Sequence, residues 1–412
     1  MNHFDILLEK YAELVVKVGV NIQPGQILMV QSPIETVQLT RLIVAKAYEA
    51  GAKYVDVQWM DEQITRIRYD KAQDDTFSYY PKWEADKMLQ LAEAGGALLH
   101  IKVPDPELLR GVDAEKVSTA VKAAALARES FSHYTRNNLI TWSLVKAPTK
   151  AWANKVFDDF PEEERVNAMW EAVFQMNRVN DGDPVIAWRE HIQELKQRQQ
   201  FMNDKRYKFL HYRAPGTDLH IEFPDGYQWL GGGDENASGV YFVANMPTEE
   251  IYTMPLRTGV NGTVTSTKPL NLNGRLVEGI EITFKDGKVV SYNAKSGREH
   301  LTTLLATDEG ASYLGEVALV PYDSPISRMN RVFYNTGVDE NASCHLALGS
   351  AYPVNIEGGT KLSKQELLEK GANVSLTHVD FMIGSAELEI DGELADGTIE
   401  PVFRNGNWAV EQ

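Results

Sequence analysis

Apolar residues at Phe4, Leu7, Leu8, Tyr11, Leu14, Val15 and Val18 recur at helical spacing, so the chain opens with an amphipathic helix. Pro24-Gly25 marks a turn, after which residues 27–30 read as a buried strand. A helix over 37–50, stopped by Gly51, and a strand over 54–59 follow. Helical spacing returns near 62–72 and 83–94. Gly95-Gly96 then interrupts, and 97–103 is an apolar strand. A helix over about 115–129 and a strand over 139–145 continue the alternation. Strands alternating with helices predict crossover units and a parallel sheet. Two further helices, near 163–178 and 184–202, close this half.

The pattern changes near residue 205. Residues 207–212 and 219–223 alternate like strands, and 280–284 and 288–292 flank Asp286-Gly287, a strong hairpin signal. Short helices are predicted near 298–306 and 364–370. The expected architecture is an α/β N-terminal domain with a parallel sheet over 1–210, then a β-rich α+β catalytic domain over 211–412. The boundary falls at about 205–215. The pentapeptide Asp-Glu-Asn-Ala-Ser occurs at 234–238 and again at 339–343, but the flanks differ, so it is not a repeat.

The 412 residues suffice for two or three domains of roughly 100–200 residues. Hydrophobic residues make up 43% and charged residues 24%, an ordinary globular balance. A net charge of −17 argues against nucleic acid or an anionic membrane as partner. It suits a substrate carrying a free amine, and it serves solubility equally well. One cysteine, Cys344, excludes an intrachain disulfide and fits a reducing, cytoplasmic setting. Asp5, Glu9 and Glu13 interrupt any signal-like apolar stretch, and no apolar run reaches the roughly 18 residues of a membrane span. In such a setting the glycosylation sequons at Asn236, Asn261, Asn341 and Asn373 carry little meaning.

Candidate chemistry gathers in the second half. His378-Val379-Asp380 lies in an apolar, strand-like segment over 374–383, where residues two apart share a face. An imidazole and a carboxylate then converge, either on a cation or on each other. Glu316 is a lone carboxylate in the apolar run Leu314-Gly315-Glu316-Val317-Ala318-Leu319-Val320; it needs a cation, a donor or a solvated strand end. Glu340, Cys344, His345 and Tyr352 cluster in a stretch that reads as part loop, part short helix. Cys344 beside His345 is not a nucleophile–base pair, because adjacent side chains point apart; Cys344 reads as a small buried filler. Glu249 and Glu250 follow Asn245-Met246-Pro247-Thr248, where acids in a capped first turn would suffice to explain them. Gly231-Gly232-Gly233 lacks both the phosphate-loop and the dinucleotide spacing and reads as a flexible loop. Together, Glu250, Glu316, Glu340, His345, His378 and Asp380 offer four carboxylates and two imidazoles. That is too many for one tetrahedral zinc but suits two divalent ions with one bridging carboxylate. Oxygen-rich ligation with some nitrogen fits Zn, Co or Mn rather than a thiolate site.

Several stretches resemble the thermophilic aminopeptidase family of the aminopeptidase T, aminopeptidase S and PepS type. They are 245–253, Leu314-Gly315-Glu316-Val317-Ala318, 335–345, Gly349-Ser350-Ala351-Tyr352 and His378-Val379-Asp380-Phe381-Met382-Ile383-Gly384. The resemblance implies a metallopeptidase with two divalent ions (Zn, Co, Mn or Mg) that removes N-terminal residues from peptides with a free amine. It implies Glu250, Glu316, His345, His378 and Asp380 as ligands, Glu316 bridging, with Glu340 also assigned to the site. Tyr352 is implied as the active-site tyrosine, and a homodimer with sites facing an internal cavity is expected. Glu316 and Glu249 are the candidates for proton transfer to the leaving amine. Two rivals remain: an iron-dependent ring-cleaving dioxygenase on the same scaffold, and a catalytically inactive binding protein.

Overall fold

The computed structural model describes residues 2–102, 105, 107–180, 182–272 and 275–409. Two compact units emerge: Met1–Glu190 with Gly233–Pro247, and His191–Gly232 with Thr248–Gln412.

The first unit holds the predicted parallel sheet. Its strands are Ile27–Pro33, Tyr54–Met60, Ala97–Lys102 and Trp142–Lys146, all parallel, in the spatial order second, first, third, fourth. Val103, at the end of the third expected strand, lies outside the described residues. The opening helix, His3–Leu14, is closed by a capping box between Asn2 and Asp5. It lays Phe4 and Tyr11 against Phe174 of helix Glu162–Met176, at ring distances of 5.8 and 6.3 Å. Tyr11 Oη donates to the Lys146 carbonyl at 2.7 Å, tying this helix to the last strand. Beyond Leu14 the helix widens into a π turn, Val15–Gly19, and the Gly19 carbonyl accepts from Val243 N at 2.9 Å. Leu144 N and Ser143 Oγ also bond the carbonyls of Ala244 and Val243, so 233–247 docks beside the fourth strand. The helix expected over about 115–129 is found at Ala114–Ala127, and a further helix, Glu129–Arg136, follows it.

The second unit is β-rich, with two large antiparallel sheets and a two-stranded ribbon, Leu270–Leu272 with Arg275–Val277, among the described residues. The larger runs Lys288–Asn293, Glu281–Lys285, Val260–Thr265, Thr217–Glu222, Phe209–Ala214, Glu389–Glu393, Ile399–Arg404, Asn407–Trp408. The predicted hairpin joins Glu281–Lys285 to Lys288–Asn293. Asp286 and Gly287 both have positive φ, 50° and 79°, and a Cβ on Gly287 would lie 1.7 Å from the Arg257 carbonyl oxygen. The smaller sheet runs His378–Met382, His345–Gly349, Leu314–Leu319, Ile251–Thr253, Leu230–Gly231. One core spans both sheets, including Tyr212, Leu219, Ile221, Phe284 and Ile390 from the larger and Ile251, Val317, Leu346, Leu348 and Phe381 from the smaller.

Three local expectations change. The stretch around His345 holds a short helix, Thr336–Asp339, but His345 itself opens a strand. No helix begins at Glu249 and Glu250; Glu250 leads directly into strand Ile251–Thr253. Gly231 is strand rather than loop, paired with Ile251. A Cβ there would lie 2.5 Å from the Glu250 carbonyl oxygen, so glycine permits the close approach.

Asp391 is buried in strand Glu389–Glu393 and clasped by Arg213 and Arg404. Burial pushes its carboxyl pKa up, but the two guanidiniums prevail and hold it below the usual carboxylate value. A depressed folded pKa contributes stability that is fully present above the unfolded value near 4 and is lost as pH falls through the folded one. Asp391→Asn should therefore cost about 1–3 kcal/mol at neutral pH. Denaturant titrations of both proteins should show that difference shrinking only below about pH 4.

Candidate metal centre

Side chains alternate between the two faces of the smaller sheet. Ile251, Val317, Leu319, Leu346, Leu348 and Phe381 face the core. On the other face, register aligns Tyr252, Ala318 and His345 in one row, Glu316, Ala347 and Asp380 in the next, and Gly349 with His378 in a third. Glu250, two residues before Tyr252, has the same parity. Ala318, Ala347 and Gly349 form a low floor over which the longer side chains lean inward.

Glu316 stands on this face in regular alternation with Val317 and Leu319, immediately after a bulge. Leu314 opposes Leu348, but Glu316 opposes Ala347, so one extra residue, Gly315, is inserted. The inserted residue lets Leu314 enter the core as well, where strict alternation would have put it on the face of Glu316. Bulges re-aim side chains in this way next to functional sites. A Cβ on Gly315 would lie 2.3 Å from the Gly349 carbonyl oxygen and 2.5 Å from the Ser350 carbonyl carbon, so only glycine fits.

Two trios of ligand-type side chains result: Glu250, Glu316 and His345, and Glu316, His378 and Asp380. Within each, the candidate donor atoms lie within 4.8 Å of one another. His345 Nε2 lies 3.1 Å from Glu250 Oε2 and 3.4 Å from Glu316 Oε1. His378 Nε2 lies 3.7 Å from Glu316 Oε2 and 3.3 Å from Asp380 Oδ1. Glu316 thus turns one oxygen to each imidazole. Both rings are oriented from behind: His378 Nδ1 donates to the Ser350 carbonyl at 2.7 Å, and His345 Nδ1 faces the Ser343 carbonyl at 3.3 Å. A proton on each Nδ1 leaves each Nε2 lone pair directed at the carboxylates.

Tyr352 stands over His378, ring centroids 4.7 Å apart, and Tyr252 meets Tyr352 edge-on at 6.1 Å. Although 45% of Tyr352 is exposed, its hydroxyl end is enclosed. That enclosure, then the charges of Glu316, Asp380, Glu340 and Glu250, raise the phenol pKa far above its ordinary value. Glu340 belongs to neither trio and enters through this field. Glu249 is buried, its carboxylate 3.6 Å from His191 Nε2. Cys344 is buried as expected; its Sγ donates to the Val320 carbonyl at 3.3 Å, and burial pushes the thiol up to about 12. Sequence reasoning missed the Ser343 and Ser350 carbonyls, whose contribution is backbone and leaves no residue-type signal.

The family described as thermophilic metalloprotease (M29) matches residues 4–408. The chain is 52% identical over 411 residues to aminopeptidase 2 of Geobacillus stearothermophilus, covering 100% of each. It is 47% identical to aminopeptidase AmpS of Bacillus subtilis over 409 residues, 99% of this chain and 100% of the relative. Wild-type AmpT from Thermus thermophilus superposes with a TM-score of 0.93 at 40% identity, covering 98% of this chain and 99% of that one. The chain belongs to the thermophilic metalloprotease family. These relatives are named aminopeptidases, and they lend the ring-cleaving dioxygenase reading no support.

Membership in the thermophilic metalloproteases implies divalent metal ions, and the donor set fits them. Glu250 Oε2 and Asp380 Oδ1 are buried and make no hydrogen bond, although imidazole nitrogens stand 3.1 and 3.3 Å away. Buried carboxylate oxygens left without a hydrogen bond beside imidazole nitrogens are arranged for a cation. Electrostatics agree. Burial opposes charge on both imidazoles, yet Glu250 and Glu316 hold His345 well above its ordinary value, and Asp380 and Glu316 lift His378 to about 10. Burial also raises Glu316, while the imidazole of His378 beside Asp380 outweighs burial and holds that carboxyl low. A field that attracts protons this strongly attracts divalent cations.

Gly315→Ala should destabilise the protein by about 1–3 kcal/mol through overpacking. Because Gly315 adjoins Glu316 and presses on Gly349 and Ser350, the folded fraction should also lose bound metal. Denaturant unfolding combined with elemental analysis checks both; unchanged metal content would detach the bulge from the site.

Proposed function

We propose that Glu250, Glu316 and His345 hold one divalent ion, that Glu316, His378 and Asp380 hold a second, and that Glu316 bridges them. The chain is a metal-dependent aminopeptidase. The observation that carries the dinuclear reading is that Glu316 turns its two oxygens to two imidazoles in two trios. Glu340 is the further carboxylate of the centre, and with it four negative ligands balance two dications. Zn, Co, Mn and Mg all suit so oxygen-rich a set.

Divalent ions bound there supply Lewis acidity, polarising the scissile carbonyl and lowering the pKa of water toward neutrality. The chain's own groups do the rest. The net charge of −17 on the chain suits the cationic end of a peptide, its free N-terminal amine. Tyr352, whose raised pKa keeps the phenol protonated at neutral pH, donates to the developing oxyanion. Of the two carboxylates offered for proton transfer, Glu316 belongs to both trios whereas Glu249 faces His191; Glu316 is assigned the transfer to the leaving amine. The homodimer implied by the family resemblance is retained, as is a cytoplasmic location, on the single buried cysteine. A single-chain mass in analytical ultracentrifugation would remove the dimer.

Elemental analysis of the purified protein should give about two divalent ions per chain. His378→Ala should lose at least one of them and most activity on aminoacyl chromogenic substrates. Unchanged metal content would strike His378 from the ligand set, and no bound metal in the wild type would leave an inactive binding protein as the reading. N-acetylated peptides should resist cleavage.

Tyr352→Phe keeps the ring and should keep metal and fold. Loss of one transition-state donor costs about 100- to 1,000-fold in turnover. Steady-state kinetics with the metal-replete variant measure this; near wild-type turnover would mean the hydroxyl does not serve the oxyanion.

A further inference from the structure

Asn373 entered the sequence as part of a glycosylation sequon, Asn373-Val374-Ser375. In the structure it is 1% exposed, and every polar atom of its side chain is engaged. Its amide nitrogen donates to the Gly349 carbonyl at 2.6 Å and to the Gly310 carbonyl at 2.8 Å. Its Oδ1 accepts from Arg257 Nε at 3.1 Å. Arginine only donates, so the oxygen must face Arg257 and the NH2 must face the two carbonyls. Its backbone carbonyl accepts from Ala351 N at 2.8 Å. Arg257 is itself fixed by Glu309 at 2.8 Å and by the Tyr313 ring, 3.8 Å from its guanidinium carbon.

These bonds grip the segment where strand His345–Gly349 ends and the chain bends towards Tyr352. Gly349 sits at φ 113°, with room for no side chain: a Cβ would lie 2.1 Å from the Thr377 carbonyl oxygen. The bend serves the metal centre twice. The Ser350 carbonyl, between the two gripped residues, accepts the proton of His378 Nδ1 at 2.7 Å and so aims Nε2. Tyr352, one residue beyond the grip, stands over the same ring.

We propose that Asn373 is a positioning residue of the metal centre: by holding Gly349 and Ala351 it sets both the direction of the His378 imidazole and the place of the Tyr352 hydroxyl. The assignment rests on the dinuclear reading above. No other side chain offers two in-plane donors and one acceptor in this volume. Aspartate would set a carboxylate oxygen against the two carbonyls, and serine could satisfy only one of them. The class of role is that of groups orienting metal ligands from behind, whose loss typically costs about 10- to 100-fold in metal affinity or activity.

The test is a double-mutant cycle with a metal-binding readout. Asn373→Ala should lower kcat by about 10- to 100-fold with KM little changed. It should weaken the binding of one of two Mn2+ ions to the metal-free protein, read by calorimetric titration, by a similar factor. In the Tyr352→Phe background the same substitution should cost much less in kcat, because the hydroxyl it helps to place is already gone. A purely structural residue would lower the melting temperature, leave Mn2+ affinity and kcat within about two-fold, and act additively with Tyr352→Phe; that result overturns the proposal. If Asn373→Ala does not fold, Arg257→Leu, which removes the donor to Asn373 Oδ1, takes its place under the same criteria. If Tyr352→Phe and His378→Ala themselves leave turnover and metal content intact, the dinuclear reading fails and this assignment falls with it. If both act as expected while Asn373→Ala does nothing, the positioning role alone fails.

Discussion

A carboxylate inside an apolar strand has two destinations, a core face where it is ruinously desolvated or the opposite face where it finds a counter-charge. In Leu314–Leu319 alternation with Val317 and Leu319 sends Glu316 to the opposite face, and one inserted glycine lets Leu314 join the core beside them. Leu314, Val317 and Leu319 all enter the core, a spacing of three and then two that no regular strand produces. The extra residue at Gly315 shifts the parity, so that Leu314 enters the core while Glu316 keeps the face that also carries His345, His378 and Asp380. The backbone pays no penalty there because the insertion is glycine, pressed against Gly349 and Ser350. The arrangement of the remaining donors follows from where that carboxylate lands.

What surrounds Glu316 is consistent with one purpose. The floor beneath the donors is Ala318, Ala347 and Gly349, so nothing bulky competes for the space. Backbone carbonyls of Ser343 and Ser350 face the remote nitrogens of the imidazoles and leave the near ones for the carboxylates. Three carboxylates against two imidazoles leave a net negative charge, which raises the imidazole and phenol pKa values in concert. The same field attracts divalent cations.

Much of this was legible in the chain. His378-Val379-Asp380 is a two-residue alternation, and the strand it predicts puts both groups on one face. Glu316 stood out as a charge in an apolar run. The parallel sheet of the first unit followed from alternating periods, because those segments are long and uninterrupted. The failures have common physical causes. Strict alternation would have put Leu314 beside Glu316, since a bulge leaves no trace except its glycine. The strand His345–Gly349 was hidden by turn-forming neighbours, Asn341, Ser343 and Gly349, around only five residues. The segment 233–247 docks through bonds from Val243 and Ala244 to Gly19 and Leu144, partners about a hundred or more positions away that no local pattern encodes. Asn373 stood out only as one of four sequons of little meaning, because the partners of its amide nitrogen are backbone carbonyls, invisible as residue types.

Sharing of Glu316 by two ions is tested most directly by the magnetism of the manganese-loaded protein. Electron paramagnetic resonance of the metal-free chain titrated with Mn2+ should give, at saturation, the spectrum of an exchange-coupled pair with about two ions per chain. In Glu316→Ala that coupling should vanish, leaving isolated ions or none. A wild-type spectrum of one magnetically isolated Mn2+ per chain, unaltered by loss of Glu316, would contradict the shared-carboxylate centre.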